Sequence, residues 1–364
     1  MATPLDLRAR LAAERPGGFF LAADAPADLT DHLRRRGVLR PRRLLRRRPA
    51  VARAERLGGG NMNCVVRARL DDGESTLIVK QSRPWVEKYP DIAAPPERSR
   101  AEARYYELVD HVPALAAASP RLIDHDGAEN VLVLSDLGPA ADLSTLYADP
   151  AAWNRPVAGA PTLLAALANY LASLHGHFAD WPPARPVANK AMRVLNHEHI
   201  FALPFQAANG LPLDEYAAGL REAAAAVIDE PLRRRAAELG DVYLQVGRAG
   251  AGTLLHGDFY PGSFVLAAGA DGAETLAVID PEFCFTGPPE WDFGVLAAHL
   301  HLSGRGDLID GALGRYGRPL DTALWRGFAG VEVIRRIAGV AQLPLGADVD
   351  RAALLQTGRA LALS

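Results

Sequence analysis

Residues 52–70 read ARAERLGGGNMNCVVRARL, and residues 75–81 read STLIVKQ. The first stretch has the pattern of two strands joined by the glycine-rich turn Gly58-Gly59-Gly60. The second is a third strand, reached through the turn signal Asp71-Asp72-Gly73. Downstream, a proline-containing loop, RPWVEKYPDIAAPPERS at 83–99, delivers a helical segment, RAEARYYELVDHV at 100–112, and then an apolar strand, NVLVLSDLG at 130–138. The order strand, turn, strand, strand, helix, strand predicts a small antiparallel sheet with one companion helix.

Upstream, residues 26–37, PADLTDHLRRRG, predict a short helix whose start is set by polar residues and whose end is set by Gly37. Beyond Gly138 the chain turns largely helical, with TLLAALANYLASLHGHF at 162–178 carrying apolar residues at helical spacing. Two strand-like segments interrupt the helices: GTLLHGDFYPGSFVLAAG at 252–269 and TLAVIDPEFCFTGPP at 275–289, joined through Ala270-Asp271-Gly272. At 364 residues the chain exceeds what one core usually serves, so two lobes flanking a cleft are expected, divided as 1–137, with a helical N-terminal extension, and 138–364.

Composition narrows the function classes. A net charge of -3 gives no global footprint for nucleic acid or an anionic membrane surface, and the basic run from Arg34 to Arg48 lacks the interleaved aromatics of a nucleic-acid platform. A solvated surface face is the better reading of that run. Cys64 and Cys284 are the only cysteines, too few for a disulfide framework or a zinc site. There is neither a secretory h-region at the start nor an uninterrupted apolar run long enough to span a bilayer, so a cytoplasmic protein with a small-molecule partner is expected.

The residues with chemical promise fall into two sets. His256-Gly257-Asp258 with Ser263, followed by Asp280-Pro281-Glu282, could supply what phosphoryl transfer needs: one carboxylate to orient a hydroxyl nucleophile, and hard oxygen ligands for magnesium. Asp258 is the candidate for the first role, and Asp280, Glu282 and Ser263 for the second. Alone, HGD also reads as a turn in which His256 caps backbone carbonyls. Gly58, Gly59, Gly60, Asn61 and Asn63 would let backbone amides approach phosphate oxygens, and Lys80 would neutralise their charge, with Glu102 on the following helix as its partner. Separately, the glycines read as a hairpin turn and Lys80 as a strand end. Order and spacing favour the nucleotide reading, with adenine against residues 134–137, where Ser135 and Leu137 offer backbone groups.

These motifs resemble those of the methylthioribose kinases, within the wider aminoglycoside-phosphotransferase and choline-kinase-like group. GGGNMNCVV is similar to that family's G-D-G-N-L-N segment, IVKQ to its V-K-Q strand and HGDFYPGS to its H-G-D-L-H-T-G-S loop. IDPEFCFTGPPEWDFG is similar to its D-P-E-F metal segment and the run that follows, and Arg335-Arg336-Ile337-Ala338-Gly339 to its R-R-I-x-G helix. The resemblance implies a two-lobed protein-kinase-like α+β fold, with an antiparallel-sheet N-lobe and a mainly helical C-lobe. It also implies ATP and Mg2+ as cofactors, a 5-methylthioribose or related 5-deoxypentose acceptor of the methionine-salvage type, a homodimer, and a sugar-binding role for Arg335 and Arg336.

From the residues alone, adjacent arginines on the apolar helix VEVIRRIAGVA at 331–341 point about 100 degrees apart, so at least one faces inward. A bracing arginine–carboxylate pair between helices is then the competing reading. The chain also departs from the family at Phe259-Tyr260-Pro261, which replaces Leu-His-Thr, and at Tyr89 in EKYP, which replaces a tryptophan. Both leave the sugar open. Asp292 in WDFG is expected to brace the catalytic loop rather than hold metal, and His175, His177, Tyr105 and Tyr106 to pack or cap. The competing functions are a kinase of another hydroxylated metabolite or antibiotic, and a catalytically silent nucleotide-binding protein.

Overall fold

A computed structural model of the chain describes residues 4–40, 49–58, 62–179, 187–245, 252–268 and 272–364. The backbone falls into two compact units, residues 1–111 with 119–138, and residues 112–118 with 139–364. In chain order the first contains α1 (Pro4–Glu14), α2 (Pro26–Arg35), β1 (Val51–Arg56), β2 (Cys64–Leu70), β3 (Thr76–Gln81), β4 (Trp85–Val86), β5 (Tyr89–Ala93) and α3 (Arg98–Val109). The short helix α4 (Pro113–Ala116) belongs to the second unit, and the chain then returns to the first for β6 (Leu122–Asp126) and β7 (Val131–Ser135).

Five strands form one antiparallel sheet in the order β1-β2-β3-β7-β6. Alternation decides its faces. Val66, Val79, Val131 and Val133 are buried in a core with Leu29 and Leu33 of α2 and with Leu21. Lys80, one residue beyond Val79, therefore projects to the opposite face. The N-terminal helix α2 is thus part of the sheet's own core. It begins without a side-chain cap at Ala25, with Pro26 in the first turn, instead of the expected polar start; Gly37, just past its end, has φ +73 as a terminating glycine should.

The expected strands β1, β2, β3 and β7 and the helix between them are present. Two elements escape the pattern: edge strand β6, whose LIDHD sequence is largely polar, and the β4–β5 hairpin inside the proline-containing loop.

The second unit continues with α5 (Leu163–His177), α6 (Lys190–His197), α7 (Leu213–Tyr216), α8 (Leu220–Val227) and α9 (Glu230–Leu244). Strands β8 (Thr253–Leu255), β9 (Phe264–Ala268), β10 (Glu274–Val278) and β11 (Phe285–Gly287) follow, and then α10 (Glu290–Leu302), α11 (Ile309–Tyr316), α12 (Thr322–Ala338) and α13 (Arg351–Ala362). Each long strand-like segment is two short strands separated by a loop: β9 pairs with β10, and β8 with β11.

Helices α10 and α12 are buried nearly all round, as their apolar sequences demand. Asp321 caps α12 by accepting from the Leu324 amide at 3.0 Å. Gly330 lets α13 approach α12, because a Cβ there would collide with the Gly358 carbonyl and the Ala362 backbone. Among the described residues, no helix is long and apolar enough to cross a membrane.

Candidate active site

In the first unit, the strand alternation that turns Lys80 away from the α2 core brings it to Glu102 of α3. Lys80 Nζ lies 2.9 Å from Oε1 and 2.8 Å from Oε2, with the two side chains 2% and 0% exposed. A lysine taken out of water needs such a partner. Gly58 is exposed at the start of the glycine turn, while Gly59, Gly60 and Asn61 lie outside the described residues.

Asn63 is buried, and its Oδ1 accepts from the Ser82 hydroxyl at 2.8 Å and from Arg98 Nε at 3.1 Å. The fully buried Arg98 guanidinium also donates to the carbonyls of Met62, Arg83 and Pro95. These contacts tie the exit of the glycine turn to the start of α3, a brace that the sequence reading missed. The Ser135 amide donates to the Arg121 carbonyl at 2.9 Å, and the Ser135 hydroxyl accepts from the Arg121 amide at 2.8 Å. Leu137, just beyond β7, is half-buried.

In the second unit, Asp258 follows β8 and Asp280 follows β10. Gly257 has φ +91, and a Cβ there would collide with the Phe283 carbonyl, so glycine is required for the HGD loop to lie against the Phe283–Cys284 backbone that follows Asp280-Pro281-Glu282. Asp292 fixes the loop from behind: the His256 amide donates to Oδ2 at 2.7 Å and the Gly257 amide to Oδ1 at 2.9 Å. Trp291 Nε1 donates to the Gly257 carbonyl at 2.9 Å. The bracing expected of Asp292 is what the geometry displays. His256 is buried, which lowers its pKa; its Nε2 donates to the Ile279 carbonyl at 2.9 Å, joining the loop to the end of β10. His175 is buried between Asp292 and Tyr316, whereas His177 is exposed.

The metal candidates are neighbours in the chain and stand in a constrained turn. Asp280 has φ +59, Glu282 is buried, and Asn189 Nδ2 donates to the carbonyls of Glu282 and Cys284 at 2.8 and 3.0 Å. The Ser263 hydroxyl donates to the Asp258 carbonyl at 2.9 Å, which leaves its lone pairs directed elsewhere. No group of three or more His, Cys, Asp or Glu side chains among the described residues is arranged to hold a metal. The donor chemistry of Asp280, Glu282 and Ser263 nevertheless suits magnesium, which is commonly held by one or two carboxylates together with phosphate oxygens and water.

The arginine pair lands on the candidate catalytic residue. Arg335 and Arg336 each donate from an Nη2 to the same Oδ1 of Asp258, at 3.2 and 3.0 Å. From their Nε atoms they donate to the two oxygens of Glu332, Arg335 to Oε2 at 2.5 Å and Arg336 to Oε1 at 2.8 Å. Both guanidiniums therefore face inward, where at least one was expected to. The competing reading, a bracing pair between two helices, is not what these bonds form, because Glu332 lies on the arginines' own helix one turn earlier and Asp258 lies in a loop.

His299 Nε2 lies 3.2 Å from Glu332 Oε1, and Tyr147 Oη lies 2.7 Å from His299 Nδ1. Burial lowers the His299 pKa to about 4, so the ring is neutral, donating to Glu332 and accepting from the tyrosine. Burial pushes the Glu332 pKa up, but the Arg335 and Arg336 charges outweigh it and hold the carboxyl well below its usual range. The Arg336 guanidinium sits 4.5 Å above the Tyr260 ring, and burial together with the Asp258 charge raises the tyrosine pKa. Glu332, His299 and Tyr147 were missed in the sequence; the E-x-x-R-R spacing was the available signal for the first.

Residues 53–331 match the model of the APH family, described as a phosphotransferase enzyme family. The chain is 30% identical over 266 residues to a methylthioribose kinase of Erwinia tasmaniensis, an alignment covering 68% of this chain and 59% of that protein. It is 27% identical over 343 residues to a methylthioribose kinase of Exiguobacterium sibiricum, covering 82% of each. Among solved structures, it aligns with the choline kinase LicA of Streptococcus pneumoniae at 18% identity and a TM-score of 0.45, covering 84% of this chain and 92% of that one.

Proposed function

This chain belongs to the phosphotransferase enzyme family, and we propose that it is an ATP-dependent kinase of a pentose, with 5-methylthioribose or a related 5-deoxypentose as acceptor and its 1-hydroxyl as nucleophile. The observation that carries the reading is the convergence of Arg335 and Arg336 on Asp258 Oδ1, which puts a proton acceptor and hydroxyl-binding donors at one point. The relatives named above carry the choice of sugar.

In this mechanism the acceptor hydroxyl oxygen bonds to the terminal phosphorus of ATP as the bond to the ADP oxygen breaks. Asp258 orients the hydroxyl and takes its proton late, since a loose transition state needs little of a strong base. Arg335 and Arg336 donate to sugar oxygens. Lys80, fixed by Glu102, serves the nucleotide phosphates, with the glycine turn and Leu137 as the neighbours of phosphate and adenine. Asp280 and Glu282, with Ser263, would hold magnesium, which when bound neutralises phosphate charge.

A second reading, a kinase of another hydroxylated metabolite or antibiotic, rests on the Phe259-Tyr260-Pro261 departure, which places Tyr260 beneath Arg336. Magnesium-dependent ADP release, measured across pentoses, 5-deoxypentoses, aminoglycosides and amino alcohols, separates the two. The pentose reading expects 5-methylthioribose or a close analogue to give the highest kcat/KM, with a 1-phosphate as product. Release with aminoglycosides or amino alcohols alone overturns it.

A further inference from the structure

The two arginines at Asp258 bring two positive charges to a site where a sugar would offer only hydroxyls. Unpaired guanidiniums there would attract any oxyanion in the cell and would splay apart by mutual repulsion. Among the contacts of the second unit, Glu332 answers both problems. Its carboxylate is fully buried, it receives one Nε–H from each arginine on a different oxygen, and it leaves both Nη2 groups directed at Asp258. Glu332 and Asp258 together balance the pair, two negative charges against two positive. The Glu332 carboxylate is itself held in place: His299 lies against Oε1, and Tyr147 lies against the far nitrogen of that ring.

We propose that Glu332 is a positioning and specificity-determining residue of the acceptor site, one that aims both guanidiniums at Asp258 and makes the site electrically neutral, so that it takes an uncharged polyol and rejects oxyanions. This rests on the kinase reading above. Glu332 has no contact with Asp258 in this structure and acts through Arg335 and Arg336.

The charge and the aim are separable by substitution. Glu332→Gln keeps the shape and removes the charge, while Glu332→Asp keeps the charge and retracts the carboxylate by one methylene. Steady-state kinetics with ATP and the acceptor found for the wild-type chain are to be measured with and without sulfate, together with a melting curve for each variant.

For Glu332→Gln, kcat is expected to fall on the order of 10²-fold, the usual consequence of a misplaced group. Sulfate should then compete with the acceptor at least roughly tenfold more strongly than in the wild type, while the KM for ATP stays unchanged. Glu332→Asp should show wild-type sulfate sensitivity with kcat reduced about tenfold. A merely structural Glu332 would lower the melting temperature and the active fraction, but would leave sulfate competition unmoved.

Unchanged kcat and sulfate competition in folded Glu332→Gln overturn the proposal and leave the kinase reading standing. If Glu332→Gln does not fold, wild-type kcat in Glu332→Asp overturns it. Wild-type protein that transfers phosphate to no polyol overturns the kinase reading, and this inference with it.

Discussion

Lys80–Glu102 in the first unit and the Asp258 cluster in the second are both buried ion pairs, yet they differ in construction. The first is one lysine and one carboxylate, each contributed by a regular element, with almost no exposure. The second is two arginines strung between two carboxylates, with the Asp258 side chain 17% exposed and its Oδ1 shared by both guanidiniums. A closed pair fixes one charge in one place and suits a ligand with invariant phosphates. An open cluster that ends on a partly exposed carboxylate has donors and an acceptor that can exchange partners with an incoming hydroxyl. Under the proposed mechanism, the difference separates parts general to phosphoryl transfer from parts that choose the acceptor.

The most severe way to break the open cluster is Asp258→Asn. The amide retains an oxygen for Arg335 and Arg336 but cannot accept the nucleophile's proton, so kcat is expected to fall by about 10² to 10⁴ while nucleotide affinity persists. Single-turnover kinetics beside an ATP titration measure both, and near-wild-type turnover would remove Asp258 from the mechanism. The closed pair should fail differently. Glu102→Ala leaves a lysine buried without that partner and is expected to cost about 3–5 kcal/mol of stability. It should also weaken ATP binding without altering acceptor selectivity. Urea unfolding and ligand titration test the two halves of that expectation, and a stable variant that binds ATP normally would deny the pair its role.

This contrast also explains what was legible in the sequence. Lys80 and Glu102 could be paired from order alone, because a lysine at a strand end and a glutamate on the next helix are both on regular elements with known periodicity. The HGD and DPE segments stood out as candidates, and Asp292 as the brace that the geometry displays. Glu332, His299 and Tyr147 did not, because they come from a 3-10 turn and two helices far apart in the chain, and a buried histidine or tyrosine in an apolar helix has no signature of its own. Strand β6 was hidden for a different reason: it is an edge strand whose charged side chains serve Arg36, which donates to Asp124 at 2.7 and 2.8 Å, so it lacks the apolar alternation of its neighbours.

The arginines sharpen the comparison within the cluster. Arg335→Ala and Arg336→Ala are each expected to cost on the order of 2–3 kcal/mol in acceptor binding, since each removes a charge-assisted donor, while ATP affinity stays unchanged. The contact with the Tyr260 ring belongs to Arg336, so its loss should also reduce the melting temperature more than the loss of Arg335. Calorimetric titration and melting curves for the two variants decide this, and normal acceptor binding in both would make the pair structural.

The smallest effect concerns protons, and it tests whether the cluster depends on a neutral histidine. Burial holds the His299 pKa at about 4, against 6.5 for the exposed ring. Between these values the unfolded chain binds a proton that the folded chain refuses, so folding stability from this residue is present above pH 6.5 and is lost as pH falls toward 4. From pH 6.5 to 5.5 the loss amounts to about 1 kcal/mol for this one ring. Other buried histidines, such as His32 in the first unit and His256 in the second, are shifted in the same direction by burial and add to the total, so the wild-type slope alone does not isolate His299. His299→Gln does, because a glutamine amide can still donate to Glu332 but does not titrate. Urea unfolding at pH 6.5 and 5.5 should show the variant losing about 1 kcal/mol less than the wild type across that interval, whatever its absolute stability. Parallel losses in the two proteins would mean that His299 already carries its proton at pH 5.5, and Glu332 would then be held by an imidazolium rather than by a neutral donor.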